Sequence, residues 1–209
     1  MKSELLPLTV IAVDWNGTMV NDALRAWQST TKSLRELGLQ SCDPGSLAGF
    51  RSRFSLPMEK FFADLGVPEP LLAECVNLWN AEMLEISADL APGAEHLLHS
   101  AKALGIPVVV ISGAHEHVIW NDCKNHGVTH LIAEVHGSVH PKREILKRYA
   151  SRGPIAYIGD TRYDVAEGLA AGAATVAVDF GYGDGTGLED ADEVVSDLTD
   201  LLQLLGIPA

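Results

Sequence analysis

A chain of 209 residues that is 47% hydrophobic can bury one sizeable core, or a core with a small inserted domain, and is too apolar to be a disordered segment. Its 15 Lys plus Arg stand against 28 Asp plus Glu, a formal net charge of -13, so the surface repels nucleic acid and anionic membranes alike. An anionic ligand must therefore meet a local cationic group or a metal ion.

The first run that is apolar at consecutive positions is Leu8 to Val13, the pattern of a strand buried on both faces. The chain turns polar at Asp14, too soon after Met1-Lys2-Ser3-Glu4 for a signal peptide or a membrane span, so a cytoplasmic protein is expected. From about Val20 to Leu90 no strand-like run occurs. Helical spacing takes over, with Leu24, Trp27, Leu34 and Leu37, then Phe61, Phe62 and Leu65, then Leu71, Leu72, Val76, Trp79 and Met83. Residues 21–90 are assigned to a small all-helical insertion, entered at Asn21-Asp22, left at Ala91-Pro92-Gly93, and built around Phe61, Phe62, Trp79 and Met83.

Past the insertion, a helix from Ala94 to Leu104 is closed by Gly105, and a strand follows over Ile106 to Ile111. A strand over Ile155 to Ile158 precedes a helix over Val165 to Ala171 closed by Gly172, and strands follow at Ala174 to Val178 and Glu193 to Val195. A last helix runs from Asp197 to Leu205, capped by Ser196 or Asp197. This alternation implies an α/β fold, a doubly wound, Rossmann-like parallel sheet covered by helices and formed by residues 1–20 and 91–209. Cys42, Cys75 and Cys123 are widely spaced without a CxxC pair, which suits buried thiols better than a disulfide framework or a zinc site.

The three clearest strands each end in a polar residue: Asp14, Ser112, and Gly159-Asp160. In a parallel sheet these ends share one edge, where open α/β sheets bind ligands. Asp14 and Asp160 can converge there, and two carboxylates with further oxygen ligands suit a hard ion such as Mg2+, which also relieves their mutual repulsion.

Asp14-Trp15-Asn16-Gly17-Thr18-Met19, Ser112, Lys142 and Gly159-Asp160-Thr161-Arg162-Tyr163-Asp164 resemble, in order, the four motifs of the haloacid-dehalogenase-like superfamily. The insertion after the first motif resembles the helical cap of phosphoglycolate-phosphatase-like members. The resemblance implies a Mg2+-dependent hydrolase of a small phosphorylated metabolite, with Asp14 as the nucleophile that forms an aspartyl-phosphate. It assigns phosphoryl-binding roles to Thr18, Ser112 and the amides of Trp15, Asn16 and Gly113, and charge neutralisation to Lys142, with Lys124, Arg143 and Lys147 as the nearby alternatives. Metal ligands would be Asp14, the Asn16 carbonyl, Asp160, and Asp164 directly or through water. Arg51 and Arg53 in the insertion would bind a carboxylate or second phosphate of the substrate, or else belong to an ordinary solvated helix. A homodimer is compatible with the sequence, which carries no signal for oligomeric state.

One position departs from the family pattern. Asn16 stands where most family phosphatases carry an aspartate that acts as general acid and base, a role an amide cannot fill. Three readings follow: a phosphatase for substrates with good leaving groups, an enzyme of other chemistry such as C–halogen or C–P cleavage, or a weakly active phosphate-binding protein. A metal-free dehalogenase would leave the GDxxxD motif without purpose, and a phosphonoacetaldehyde hydrolase needs a cap lysine, for which Lys60 is the nearest candidate. His115 is a candidate stand-in for the acid. The glycine-rich run Gly181 to Gly187 lacks the GxGxxG spacing of a dinucleotide loop and is expected to be a mobile surface loop.

Overall fold

The computed structural model describes residues 8–182 and 185–204, which form two compact units: Asp22–Ala88, and the described residues on either side of that segment.

The first unit contains α1 (Ala23–Glu36), α2 (Leu47–Arg51), α3 (Met58–Asp64) and α4 (Leu72–Glu85). Phe50, Phe61, Phe62, Trp79 and Met83 are buried, and Phe50 meets Phe61 edge-on at 5.4 Å between ring centroids. The buried face of α1 differs from the one that hydrophobic spacing marks. Leu24 is exposed, Trp27 is half-buried, and the covered positions are Ala23, Arg25, Ala26, Ser29, Thr30, Ser33 and Leu34. Small residues on that face let α4 come close. Thr30 and Ser33 satisfy their hydroxyls on the carbonyls of Ala26 (2.8 Å) and Ser29 (2.7 Å), a local bond that lets them be buried without a tertiary partner. Trp79 donates its indole N–H to the Ala26 carbonyl at 3.2 Å, and Lys32 pairs with Glu82 at 2.5 Å.

The second unit carries β1 (Val10–Val13), β2 (Val20–Asn21), β3 (Asp89–Leu90), β4 (Val108–Ile111), β5 (Ile132–His136), β6 (Ile155–Gly159), β7 (Ala174–Val178) and β8 (Glu193–Val195). Its helices are α5 (Ala94–Ala103), α6 (Glu116–Asn125), α7 (Arg143–Ala150), α8 (Arg162–Ala171) and α9 (Leu198–Leu204). Six strands form a parallel sheet in the order β5-β4-β1-β6-β7-β8, while β2 and β3 pair in a short antiparallel ribbon. The central strands β1, β4, β6 and β7 are buried along their whole lengths, which is why they read as continuous apolar runs.

Elements that sequence patterning does not reveal have physical reasons. β5 lies at the sheet edge with only Ile132 buried, so its Ile-Ala-Glu-Val-His sequence carries no apolar run. α8 begins at Arg162 rather than Val165 because Thr161 and Asp164 form a capping box. Asp197 accepts a bond from the Thr199 amide at 2.7 Å and so precedes α9 as its cap; Leu205, expected in that helix, lies outside the described residues. All three cysteines are buried and unbridged, with burial pushing the Cys75 and Cys123 thiols up to about 12. Among the described residues, no helix is long and apolar enough to cross a membrane.

Candidate active site

β1 delivers Asp14 to the point of the sheet flanked by β4 on one side and β6 on the other. The strand order reverses here, with β4 and β5 on one side of β1 and β6, β7 and β8 on the other, the switch point at which α/β sheets open a crevice. Val13 is in register with Val110 and Ile158, so Asp14 reaches the same level as the ends of both neighbouring strands.

The turn after β1 is shaped by its glycine. Gly17 sits at φ 76°, and a Cβ there would come 2.5 Å from Asp160 Oδ2. Trp15 is fully buried and donates its indole N–H to Asp122 Oδ2 on α6 at 3.0 Å, which pins the turn and leaves only its backbone to meet a ligand. Asn16 is half-buried, with its Oδ1 covered and accepting no hydrogen bond. The Thr18 hydroxyl, to which the resemblance assigns a phosphoryl oxygen, donates to Asp160 Oδ1 at 3.2 Å.

Lys142, immediately before α7, is fully buried with its Nζ 3.0 Å from Asp14 Oδ2 and 2.6 Å from Asp164 Oδ1. Lys124, Arg143 and Lys147 are exposed. The start of α7 is held against α8, because the Arg143 amide donates to Glu167 Oε2 at 2.7 Å. Asp164 is crowded with donors. Oδ1 accepts from Lys142 and from the Tyr157 hydroxyl (2.7 Å), and Oδ2 accepts from the Thr161 hydroxyl (2.5 Å) and amide (3.2 Å). A carboxylate offers about four acceptor sites, so Asp164 is filled by protein groups, whereas Asp14 Oδ1 is buried and accepts no well-formed bond.

Ser112 is fully buried beside Asp14 and accepts from the Ala114 amide at 3.1 Å; Gly113 is half-buried in the same turn. His115 caps α6, its Nδ1 accepting from the His117 amide at 3.2 Å. His115 is exposed, and its Nδ1 is committed to its own helix. Lys60 is exposed and pairs with Asp64 one turn along α3. Arg51 and Arg53 belong to the helical unit, half-buried and exposed respectively.

Three carboxylates, Asp14, Asp160 and Asp164, present oxygens within 4.8 Å of one another around a single ammonium. Desolvation raises Asp14, opposed by Lys142 and Ser112 and reinforced by Asp164. Asp160 is raised well above the carboxylate range by desolvation and then by its two acidic neighbours. Asp164 is also penalised by desolvation, yet Lys142 and the bonds from Thr161 and Tyr157 bring it below its usual value. Lys142 is driven up by the two carboxylates it touches despite its burial. The cluster therefore lacks positive charge, and its oxygen-only donors fit a hard divalent cation.

Three contributors escape the sequence reading. Gly181 and Tyr182, expected to open a mobile loop, line Asp160: the Tyr182 amide donates to Oδ2 at 2.7 Å, and a Cβ on Gly181 would fall 2.2 Å from that oxygen. They follow β7, so the strand-end rule that marks Asp14 and Asp160 applies to them as well. Gly183 and Asp184 of that run lie outside the described residues. Tyr157 reads as one more core aromatic in a buried strand, and nothing in its spacing marks its hydroxyl as an anchor for Asp164. Tyr157→Phe is expected to lower the thermal midpoint by an amount equivalent to about 1.5–3 kcal/mol, since it removes a buried bond to a charged group. A melting curve checks this.

The family model for haloacid dehalogenase-like hydrolases matches residues 11–178, and the chain belongs to that family. No curated protein matches it. Among solved structures it is similar to a haloacid dehalogenase-like family hydrolase from Streptococcus pneumoniae (21% identity, TM-score 0.78, covering 94% of this chain and 98% of that one). It is similar also to a predicted phosphoglycolate phosphatase from Haemophilus somnus (18%, TM-score 0.81, 94% and 97%). A third is a HAD family hydrolase from Deinococcus radiodurans with bound phosphate and sodium (20%, TM-score 0.72, 96% and 96%). At these identities the likeness establishes the fold.

Proposed function

We propose that this hydrolase is a Mg2+-dependent phosphatase of a small phosphorylated metabolite that works through an aspartyl-phosphate on Asp14. The observation that carries the reading is the asymmetry of that carboxylate: Oδ2 is tied to Lys142, while Oδ1 is buried and accepts no well-formed hydrogen bond, with the Ser112 hydroxyl beside the carboxylate. An oxygen so placed is free to attack phosphorus. The Oδ1–P bond forms, the bond from phosphorus to the leaving oxygen breaks, and water later attacks phosphorus and returns the electron pair to Asp14. Lys142 offsets charge on the nucleophile and on the transferring oxygens, and Ser112 with the turn amides of Trp15, Asn16 and Gly113 supplies hydrogen bonds to them.

Asp14, Asp160 and the Asn16 carbonyl are the groups that would hold the cation, which supplies charge neutralisation to the phosphoryl oxygens when bound. Because Asp164 is filled, its role in this reading is to hold Lys142 in place, and Thr18 does the same for Asp160. Residues 21–90 would act as the family's helical cap, with Arg51 and Arg53 its candidates for a second anionic group of the substrate.

A phosphate-release screen across phosphorylated metabolites, with Mg2+ and with a chelator, tests the proposal. Release is expected only with Mg2+; release undiminished in chelator would sink the metal assignment. Mg2+ at about 100 times its Kd should also stabilise the wild type by about 2.7 kcal/mol, and Asp160→Asn should lose most of that gain in a thermal shift.

A further inference from the structure

Resting on the phosphatase reading, we infer that the natural substrate is a phosphoryl donor whose leaving group departs as a stable anion, an acyl phosphate above all, and that phosphorylated Asp14 outlives release of the first product. The basis is Asn16, which puts an amide rather than a carboxyl two residues after the nucleophile. That amide can donate a hydrogen bond through Nδ2 but can neither give nor take a proton.

Among the described residues, the following groups near the cluster do not replace that carboxyl. Lys142 is clamped between two carboxylates at 3.0 and 2.6 Å, which hold its proton tightly. The Tyr157 hydroxyl is buried and donates to Asp164, and the Thr18 hydroxyl donates to Asp160. His115 is exposed, with Nδ1 turned back onto its own helix. His140 is exposed and stacked on Tyr163 at 5.0 Å, and His136 is engaged with the Tyr149 hydroxyl at 2.9 Å. The helical unit Asp22–Ala88 contains no histidine.

An alkoxide needs a proton to leave, and a positioned acid is worth about 10²–10⁴-fold in rate. A carboxylate, whose acid has a pKa of about 4, needs none. With an acyl phosphate, Asp14 Oδ1 forms a bond to phosphorus, the anhydride P–O bond breaks, and its electron pair leaves on the carboxylate without a proton. In the second step water attacks phosphorus, the P–O bond to Asp14 breaks with the pair returning to the aspartate, and the water protons go to the phosphate and to solvent. The second step also lacks its base, so it becomes the slow one.

The probes are acetyl phosphate, 4-nitrophenyl phosphate and glycerol 3-phosphate, given with Mg2+ to wild type and Asn16→Asp and read by phosphate release and by intact mass after a quench. Wild type should turn over acetyl phosphate at least about 10²-fold faster than glycerol 3-phosphate. It should also carry one hydroxylamine-labile phosphoryl group, mapped to the Asp14 peptide. Asn16→Asp should narrow the substrate ratio by about 10²–10⁴-fold and abolish the accumulated species. A wild-type ratio within about tenfold, or an unchanged ratio in Asn16→Asp, overturns the substrate class and leaves the phosphatase reading standing. Turnover without phosphorylated Asp14 in the quenched wild type overturns the long-lived intermediate. Should neither protein release phosphate from any probe nor become phosphorylated, both readings fall together.

Discussion

Asp14→Asn is expected to lower phosphate release by at least about 10⁴-fold and to abolish covalent labelling, while leaving the thermal midpoint within a few degrees of wild type. The amide keeps the size of the side chain at the end of β1 but removes the attacking anion, and the other residues cannot supply another. Stability should hold because the substitution has two opposing electrostatic effects. It takes one anion from Lys142, whose Nζ still has Asp164 at 2.6 Å, and it removes one of three carboxylates crowded within 4.8 Å. Steady-state assays beside a melting curve separate the two quantities. Activity retained in Asp14→Asn would refute the covalent mechanism, and a collapse of the fold would refute the account of the cluster as electrostatically over-acidic.

How much of this site the sequence reveals follows from where each residue lies. Asp14, Ser112 and Asp160 are legible because each interrupts an apolar run at a strand end, and a parallel sheet brings such ends together whatever their separation in sequence. Lys142 precedes a helix with other cations nearby, and only its complete burial between Asp14 and Asp164 distinguishes it. Thr18 and Asp164 are legible as site residues but not in their bonding: the first is taken by Asp160, the second by four protein donors. Pattern carries which residues come together, and side-chain geometry decides which lone pairs remain for a ligand. The same distinction explains the fold. β1, β4, β6 and β7 are visible because both faces are buried, while edge strand β5 and the Ser/Thr-lined face of α1 conceal their roles in polar residues.

Lys142→Met carries the largest expected cost to stability, about 3–5 kcal/mol near neutral pH without a divalent cation. Methionine fills a similar volume, so packing changes little. Three buried carboxylates, however, lose the one ammonium that lies within the cluster among the described residues. The pH dependence has a definite sign. In wild type Asp164 is held below its ordinary 3.8 largely by Lys142, so its pairing stabilises the fold above about pH 4 and is lost as pH falls through the lowered value. Without the lysine that depression disappears, and Asp14 and Asp160, already raised, rise further. A raised carboxylic acid stabilises the folded state below its unfolded pKa and loses that contribution as pH rises through the folded value. The deficit of Lys142→Met relative to wild type should therefore be greatest at neutral pH and shrink on acidification toward about pH 4. Urea unfolding of both proteins in chelator at several pH values measures it. Added Mg2+ should recover part of the stability, because it restores positive charge to the cluster, but not the activity, because the cation does not replace the contact that Lys142 makes with Asp14 Oδ2. A deficit independent of pH would show that Lys142 acts through packing rather than through charge.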